Sequence, residues 1–529
     1  MVSRGRLGWN YFSYVFLSVI FLATVLFVGG FLGNLPVYAG SEPEAATVVQ
    51  EKSSCTLTVD SNTVQLPFFV TDAVLDPDKP VVYITCKAEK KLYAVDYTTG
   101  DTSSMTFTEM PESLELGKGD YVNELYVALL SQEHSSSWKQ DEQTGKIAVI
   151  SRDSFSLLDT IDINVDPFDI VAGRDGCLYV PSGSGGVWTC LDSYNRSTKQ
   201  RVGRTGIYEL NCARLHPSLE RIYTLDADNY RYRAYNISNG SFLEPASPGG
   251  YLGNYDDRLN DFFEIDPTGN HIFNSSGTIY SSTTAKASDM KYVAQMADPF
   301  EGIIFESDGS RFFTLPTSED AVYVYDAASR NKIGSFTITG KGKFIFRQGE
   351  KLVILGASNT YNLQAIDLSA LVKTVSLTTN PAQPQMVGTP ITLTAEATGG
   401  TDPEYAFLVK EAADDWVVLQ NWSSADTCTW IPKIGGTAVL MVQARSGGAV
   451  GTKVFTSMDY MVNPGGALSG AWNMPSSITD IIVDPANPMV YMTSITERKL
   501  YAVNYDTGDT IIIGFQEMPE HLEMGNGEC

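Results

Sequence analysis

The chain predicts an all-β protein: a seven-bladed β-propeller, then an Ig-like β-sandwich, then the first blade of a second, incomplete propeller. Three observations carry that expectation. Residues 71–119 return without a gap at residues 479–527, with more than half of the positions identical. A strand–turn–strand phrase recurs seven times between Phe68 and Val375. Residues 376–464 then change to short alternating strands with a turn every ~8–12 residues, the spacing of a two-sheet sandwich.

The N-terminus reads as a targeting segment. Arg4 and Arg6 precede an apolar run over residues 11–32, and Pro36-Val37-Tyr38-Ala39 offers a cleavage site after Ala39. The run also has the ~20 residues that a membrane span needs, so residues 1–39 are a signal peptide or a signal anchor. Either reading exports the chain beyond Gly40. Residues 40–54 are small and polar, a flexible leader. Residues 55–66 alternate weakly and offer a strand that could complete the last blade of a ring.

The repeating phrase is an apolar strand, a tight turn and a second strand. It reads VLDPDKPVVYIT, LELGKGDYVNELYVAL, IVAGRDGCLYV, RLHPSLERIYTL, EIDPTGNHIF, IFESDGSRFFTL and FIFRQGEKLVIL. Each is followed by a third strand ending in a turn, as in LYAVDYTTGD or VYVYDAASRN. A period of ~40–45 residues with four strands per unit is propeller spacing. Residues 55–375 are therefore assigned to the first propeller. VYITCKAEKKLYAVDYTTGD and AVYVYDAASRNKIGSF resemble YVTN-type repeats, the seven-bladed propellers of bacterial and archaeal surface proteins, over residues 68–375 and 472–529. The tetrad itself is degenerate, Tyr83-Ile84-Thr85-Cys86, and the Gly-His and Trp-Asp signature of WD-repeat propellers is missing.

Residues 376–464 (PITLTAEATGG, EYAFLVK, WVVLQNWSS, TCTWIP, GTAVLMVQARSGG, VFTSMDYMV) form the Ig-like sandwich, with Tyr405, Trp416 and Tyr460 as candidate core aromatics. Only Cys428 lies inside, so no inter-sheet disulfide is expected. The segment is similar to the triple-tyrosine (three-Y) modules found beside propellers in bacterial surface proteins and two-component sensors. Residues 465–529 are a linker followed by one blade. A lone blade cannot bury both its faces, so the sequence reads as a piece of a longer protein.

Charge and motifs narrow the function. The formal net charge is −25, which repels nucleic acid and anionic lipid headgroups. Seven cysteines are scattered without a C-x-x-C. Cys177 and Cys190 flank Gly183-Ser184 symmetrically, either as a cross-strand bridge or as two buried thiols, and Cys529 has no evident role. The four histidines, His134, His216, His271 and His521, share no metal-ligand spacing and read as turn or surface residues. The acids of LDADN (Asp226, Asp228, Asn229) could hold calcium or simply make a turn, and the acids at Asp256, Asp257 and Asp261 pose the same choice. Trp138, Trp188, Tyr230 and Tyr232 could form a sugar-stacking platform or pack between blades.

No nucleophile elbow, phosphate loop or zinc-protease motif is present in the sequence. The expectation is a secreted or cell-surface binding or scaffold protein without catalysis or cofactor. It would recognise a partner protein or a cell-wall or matrix glycan through the long inserts at residues 133–143 and 249–257. Two rivals stand beside it: the extracellular sensor region of a two-component receptor, and a propeller enzyme of the lactonase, lyase or quinoprotein type.

Overall fold

The computed structural model describes residues 52–523 except 61–62, 187–188, 227–229, 245–249, 255, 257, 412–414, 448, 450, 465–476, 485–486 and 506–508. The expected signal segment, Cys529, Trp188, Asp228, Asn229 and Asp257 lie outside the described residues. The fold is all-β, and no helix among the described residues is long and apolar enough to cross a membrane. The chain divides into two compact units, one built mainly from residues 52–374 and one mainly from residues 375–523.

In the first unit the described residues form seven antiparallel sheets, one after another along the chain. The first is Asp72–Leu75, Val81–Cys86, Lys91–Asp96 and Asp101–Thr106. The second is Met110–Leu116, Glu124–Leu130, Gly145–Ser151 and Ser156–Ile163. The other five repeat the plan, each with its first-in-sequence strand at one edge. The seventh, Lys341–Gln348, Lys351–Ala357 and Tyr361–Asp367, takes its outer strand from the N-terminus: Thr63–Leu66 pairs antiparallel with Tyr361–Asp367, Leu66 opposite Tyr361. Lys52–Thr56, partly inside the stretch expected to be leader, adds a fifth strand to the first sheet along Asp101–Thr106.

Packing explains why these strands are so apolar. Val82, Tyr83, Ile84, Thr85 and Cys86 are all buried in succession, as expected when a strand has a sheet on each face. One cluster joins the first sheet to the second through Tyr83, Met105 and Phe107 against Leu114, Leu125 and Leu129. Another joins the seventh back to the first through Phe344, Phe346 and Leu363 against Leu75, Ile84 and Val95. Similar clusters link each intervening pair. The face-to-face chain of cores thus closes on itself, which is a β-propeller arrangement and removes the open sheet ends that would otherwise aggregate.

The second unit holds a three-stranded sheet, Val372–Asn380, Ile391–Gly399 and Thr427–Trp430. It also holds the strands Glu404–Glu411, Val417–Ser423, Gly436–Arg445 and Thr452–Asn463, with Gln385–Met386 parallel to the end of the last. Tyr405 and Tyr460 are buried as expected, but Trp416 is 40% exposed. Trp430 fills the core instead, edge-on to Tyr460 at 5.7 Å with its indole N–H donated to Glu411 at 3.1 Å. Trp416 sits just before the Val417–Ser423 strand, where no facing sheet covers it. Asp480–Val483, Met489–Ser494, Lys499–Asn504 and Thr510–Gly514 make a final four-stranded sheet.

No disulfide joins the cysteines among the described residues. The hairpin reading of Cys177 and Cys190 misplaces the register. Cys177 lies opposite Asn195 and Cys190 opposite Gly206. Their side chains enter different cores, Cys177 with Ile222 and Tyr235, Cys190 with Ala128 and Ile147. Thiols whose Cβ vectors point to opposite faces of a sheet cannot be bridged without moving the backbone, so the two are buried thiols.

Candidate functional site

The first strand of each sheet carries polar groups that stitch neighbouring sheets together. Asp72 accepts the Ala73 N–H at 2.9 Å and reaches across to the Leu114 N–H of the second sheet at 3.0 Å. Asp169 does the same for the third and fourth sheets, accepting from Ile170 at 2.9 Å and Ala213 at 3.0 Å. It also accepts the Ser113 hydroxyl at 3.0 Å. Arg214 continues to Glu264 of the fifth sheet at 3.1 Å, and Glu301 faces Lys341 and Lys343 at 3.5 and 3.8 Å between the sixth and seventh. An aspartate one residue before the apolar strand, in TDAV and FDIV, is the sequence signal for this clasp. Sequence reasoning passed over it because a lone Asp beside a strand also reads as turn chemistry.

Beside these strands sits a partly buried ionic cluster built around His134. The loop leaving the Glu124–Leu130 strand turns inward instead of projecting as a free insert. His134 Nδ1 lies 2.5 Å from Asp166 Oδ2, and its Nε2 is 3.9 Å from Glu112 Oε1. Lys87, on the turn after Val81–Cys86, bridges Glu112 at 3.1 Å and Glu133 at 2.7 Å. Two cations thus face three carboxylates from four separate segments.

The loop's other end is fixed by Gln143, which accepts the Ser182 hydroxyl at 2.7 Å and donates to the Ser184 carbonyl at 3.1 Å. Glycine at 183 is required sterically. A Cβ there would lie 2.3 Å from the His134 ring.

Burial alone would push the His134 pKa down. The hydrogen bond to Asp166 and the charge of Glu112 outweigh it and raise the pKa to about 9. The imidazole is therefore an imidazolium at neutral pH. Ser184, His134 and Asp166 do not form a nucleophilic relay. The Ser184 hydroxyl donates to Asp166, not to the imidazole, and accepts the Ser135 N–H at 2.8 Å. What the arrangement does chemically is hold charge and pin a long loop to three sheets.

That predicts a pH signature. A folded-state pKa raised above the ordinary ~6.5 stabilises fully below pH ~6.5 and is lost as pH rises through about 9. Unfolding by denaturant at pH 6 and pH 9.5 should differ by up to about 3 kcal/mol, and His134→Gln should remove most of that difference. An unchanged pH dependence in His134→Gln would rule the cluster out as its source.

The other candidate residues are dispersed. Asp226 is buried at the end of the Arg221–Asp226 strand, opposite Arg231. Among the described residues, no group of three or more His, Cys, Asp or Glu is placed to hold a metal. Asp256 is taken by Arg258 and the Tyr280 hydroxyl, which hold its carboxyl down at about 2. His216 caps a turn, accepting from Ser218 and Leu219 N–H at 3.0 and 2.8 Å. His271 pairs with Asp266 at 2.9 Å, and His521, 81% exposed, with Asp480 at 2.8 Å. Only His134 departs from the turn-or-surface expectation. Its partners at 112 and 166 share no sequence spacing with it.

Among the described residues, Trp138, Tyr230 and Tyr232 do not assemble into an aromatic platform. Tyr232 is buried, edge-on to Phe263 and Tyr280 at 5.3 and 5.2 Å, while Tyr230 is at the surface and Trp138 half-buried. Within the insert at 249–257, Tyr251–Leu252 forms a short strand that pairs with Arg233 and Ala234. A cleft of ≈ 600 Å³ opens on the first sheet, lined among others by Cys55, Lys79, Tyr83, Ser103 and Arg152. Its guanidinium is already committed to Asp76 and Asp78 at 2.6 and 2.8 Å.

No known protein family matches the chain, and no curated protein matches it. Solved structures with a similar course include the β-propeller domain of Cps50 (Swd1) from Myceliophteria thermophila, 7% identical with a TM-score of 0.43, covering 57% of this chain and 99% of that one. Hsv2 from Kluyveromyces lactis is 9% identical with a TM-score of 0.39, over 59% and 94% of the two chains. The dihydro-heme d1 dehydrogenase NirN is 9% identical with a TM-score of 0.38, over 87% and 76%. At such identities and TM-scores the likeness carries no argument, and function has to be argued from the residues.

Proposed function

We propose that this is an exported, non-catalytic binding or scaffold protein that recognises a partner protein or a cell-wall or matrix glycan. In this reading residues 55–375 are a seven-bladed propeller, residues 376–464 an Ig-like module, and residues 465–529 the opening of a second propeller. The observation that carries the binding reading is the insert at 131–144. His134 and Gln143 anchor its two ends in the sheets, while Ser136, Ser137, Lys139 and Asp141 between them lie at or near the surface. A polar loop held at both ends loses little entropy on binding, because its ordering has been completed on folding. His134 Nδ1 and Lys87 are paired with carboxylates of the same cluster, which supports a binding role over turnover.

The anchoring also changes how the loop should be tested. Deleting the whole insert would strip His134 from Asp166. Replacing residues 136–141 by a Gly-Ser spacer keeps both anchors and should abolish binding to a cell-wall glycan array or a surface-protein pull-down, with melting shifted by less than ~2 °C. Undiminished binding would move the recognition site elsewhere. Turnover in a hydrolase, lyase or dehydrogenase screen of the purified chain would favour the enzyme instead.

A further inference from the structure

The last sheet reproduces the four strands of the first that run from Asp72 to Thr106. Asp480 lies opposite Thr493 as Asp72 lies opposite Thr85. Asp480 accepts the Ile481 N–H at 2.9 Å and the Leu522 N–H at 2.7 Å, the same clasp that Asp72 makes to Ala73 and Leu114. Glu497 takes the Tyr501 hydroxyl as Glu89 takes that of Tyr93. What differs is cover. Ala73, Leu75, Met105 and Phe107 are 0%, 1%, 0% and 3% exposed, whereas their counterparts Ile481, Val483, Ile513 and Phe515 are 56%, 55%, 47% and 43% exposed.

The open residues fall on both faces. Ile481 and Val483 match the face that the seventh sheet covers with Phe344 and Phe346. Ile513 and Phe515 match the face that the second sheet covers with Leu114, Leu125 and Leu129. Ile511, 61% exposed, stands where the first sheet has Ser103, so this copy is the more apolar of the two. Contiguous open apolar surface of this kind marks an interaction site.

We propose that the two faces of the 480–514 sheet are seats for further four-stranded sheets of the same repeat, the one on the Ile513 face being continued in cis from Met518. This rests on the propeller reading of the repeat and not on the binding reading. The cis source is set by the chain itself. Residues 518–523, MPEHLE, repeat the start of the Met110–Leu116 strand, MPESLEL, and Leu522 is already clipped to Asp480 as Leu114 is to Asp72. The occupant must present Leu or Val at the positions of Leu114, Leu125 and Leu129, since those side chains fill the equivalent space in the first copy.

The test uses one substitution at two equivalent positions. In the 529-residue chain, Met105→Asp should lower melting by more than ~10 °C, while Ile513→Asp should shift it by less than ~2 °C. Joining residues 116–375 after Glu523 should make Ile513→Asp as damaging as Met105→Asp. It should also slow maleimide labelling of Ile481→Cys at least ~100-fold. Equal damage from both substitutions in the ungrafted chain would overturn the proposal, because the face would then be covered already. An Ile481→Cys thiol still open in the graft would overturn it too. Protection that appears in the ungrafted chain together with concentration-dependent sedimentation would assign the face to a second copy instead.

Discussion

Asp76→Ala is expected to cost the first unit about 3–5 kcal/mol, the range for breaking a buried ion pair from one side. Asp76 and Arg152 are both buried, and the carboxylate takes the guanidinium at 2.6 and 3.1 Å. It also accepts the Tyr83 hydroxyl at 2.9 Å and shapes its own turn through the Asp78 and Lys79 N–H groups. Burial works to raise its pKa, but those bonds, led by Arg152, hold it below the usual carboxylate range. Removing it leaves a cation between two sheets, answered among the described residues by exposed Asp78 and the Val122 carbonyl.

The repeat supplies the control. Asp484 occupies the same position in the last sheet, where it accepts from the backbone and side-chain N–H groups of Asn487 at 3.2 and 3.1 Å. Asp484→Ala should cost about 1 kcal/mol or less, the worth of such hydrogen bonds. Hydrogen exchange read by mass spectrometry reports each sheet separately. Equal losses in both sheets would show that turn chemistry, not the buried pair, carries Asp76.

Gly183→Ala should be comparably severe for a different reason. A methyl group 2.3 Å from the His134 ring has no room, so the imidazolium must leave Asp166, which is itself fully buried. Losing that pair while keeping the carboxylate inside costs about 3–5 kcal/mol, and the pH dependence between 6 and 9.5 should flatten with it. The decisive comparison is a double-mutant cycle. Removing the ring makes room for the methyl, so Gly183→Ala/His134→Ala should be no less stable than His134→Ala alone. If the two losses simply add, the steric account of Gly183 fails.

These two sites show how the sequence and the tertiary structure divide the work. The local grammar was legible because its causes are local. VLDPDKPVVYIT folds as strand, turn and strand since Asp76 bonds the Asp78 and Lys79 N–H groups and Val81–Cys86 is continuously apolar. The alternating strands of residues 391–463 are equally readable, as is the duplication that makes Asp480 and Asp72 equivalents.

Other features needed the fold. Whether the residue at Ala73 or Ile481 is buried is not a property of the strand–turn pattern that the two copies share, but of whether a neighbouring sheet is present. Trp430 rather than Trp416 fills the core because facing strands, not residue type, decide cover. Lys52–Thr56 joins the first sheet while Thr63–Leu66 closes the seventh, a split that weak alternation cannot encode. His134 is the clearest case. Its charge is set by Asp166 and Glu112, which lie far along the chain and come together only when the sheets pack. Sequence determines what a strand is made of, whereas long-range burial and charge proximity, which depend on distances in space, are decided by the packing of one sheet on the next.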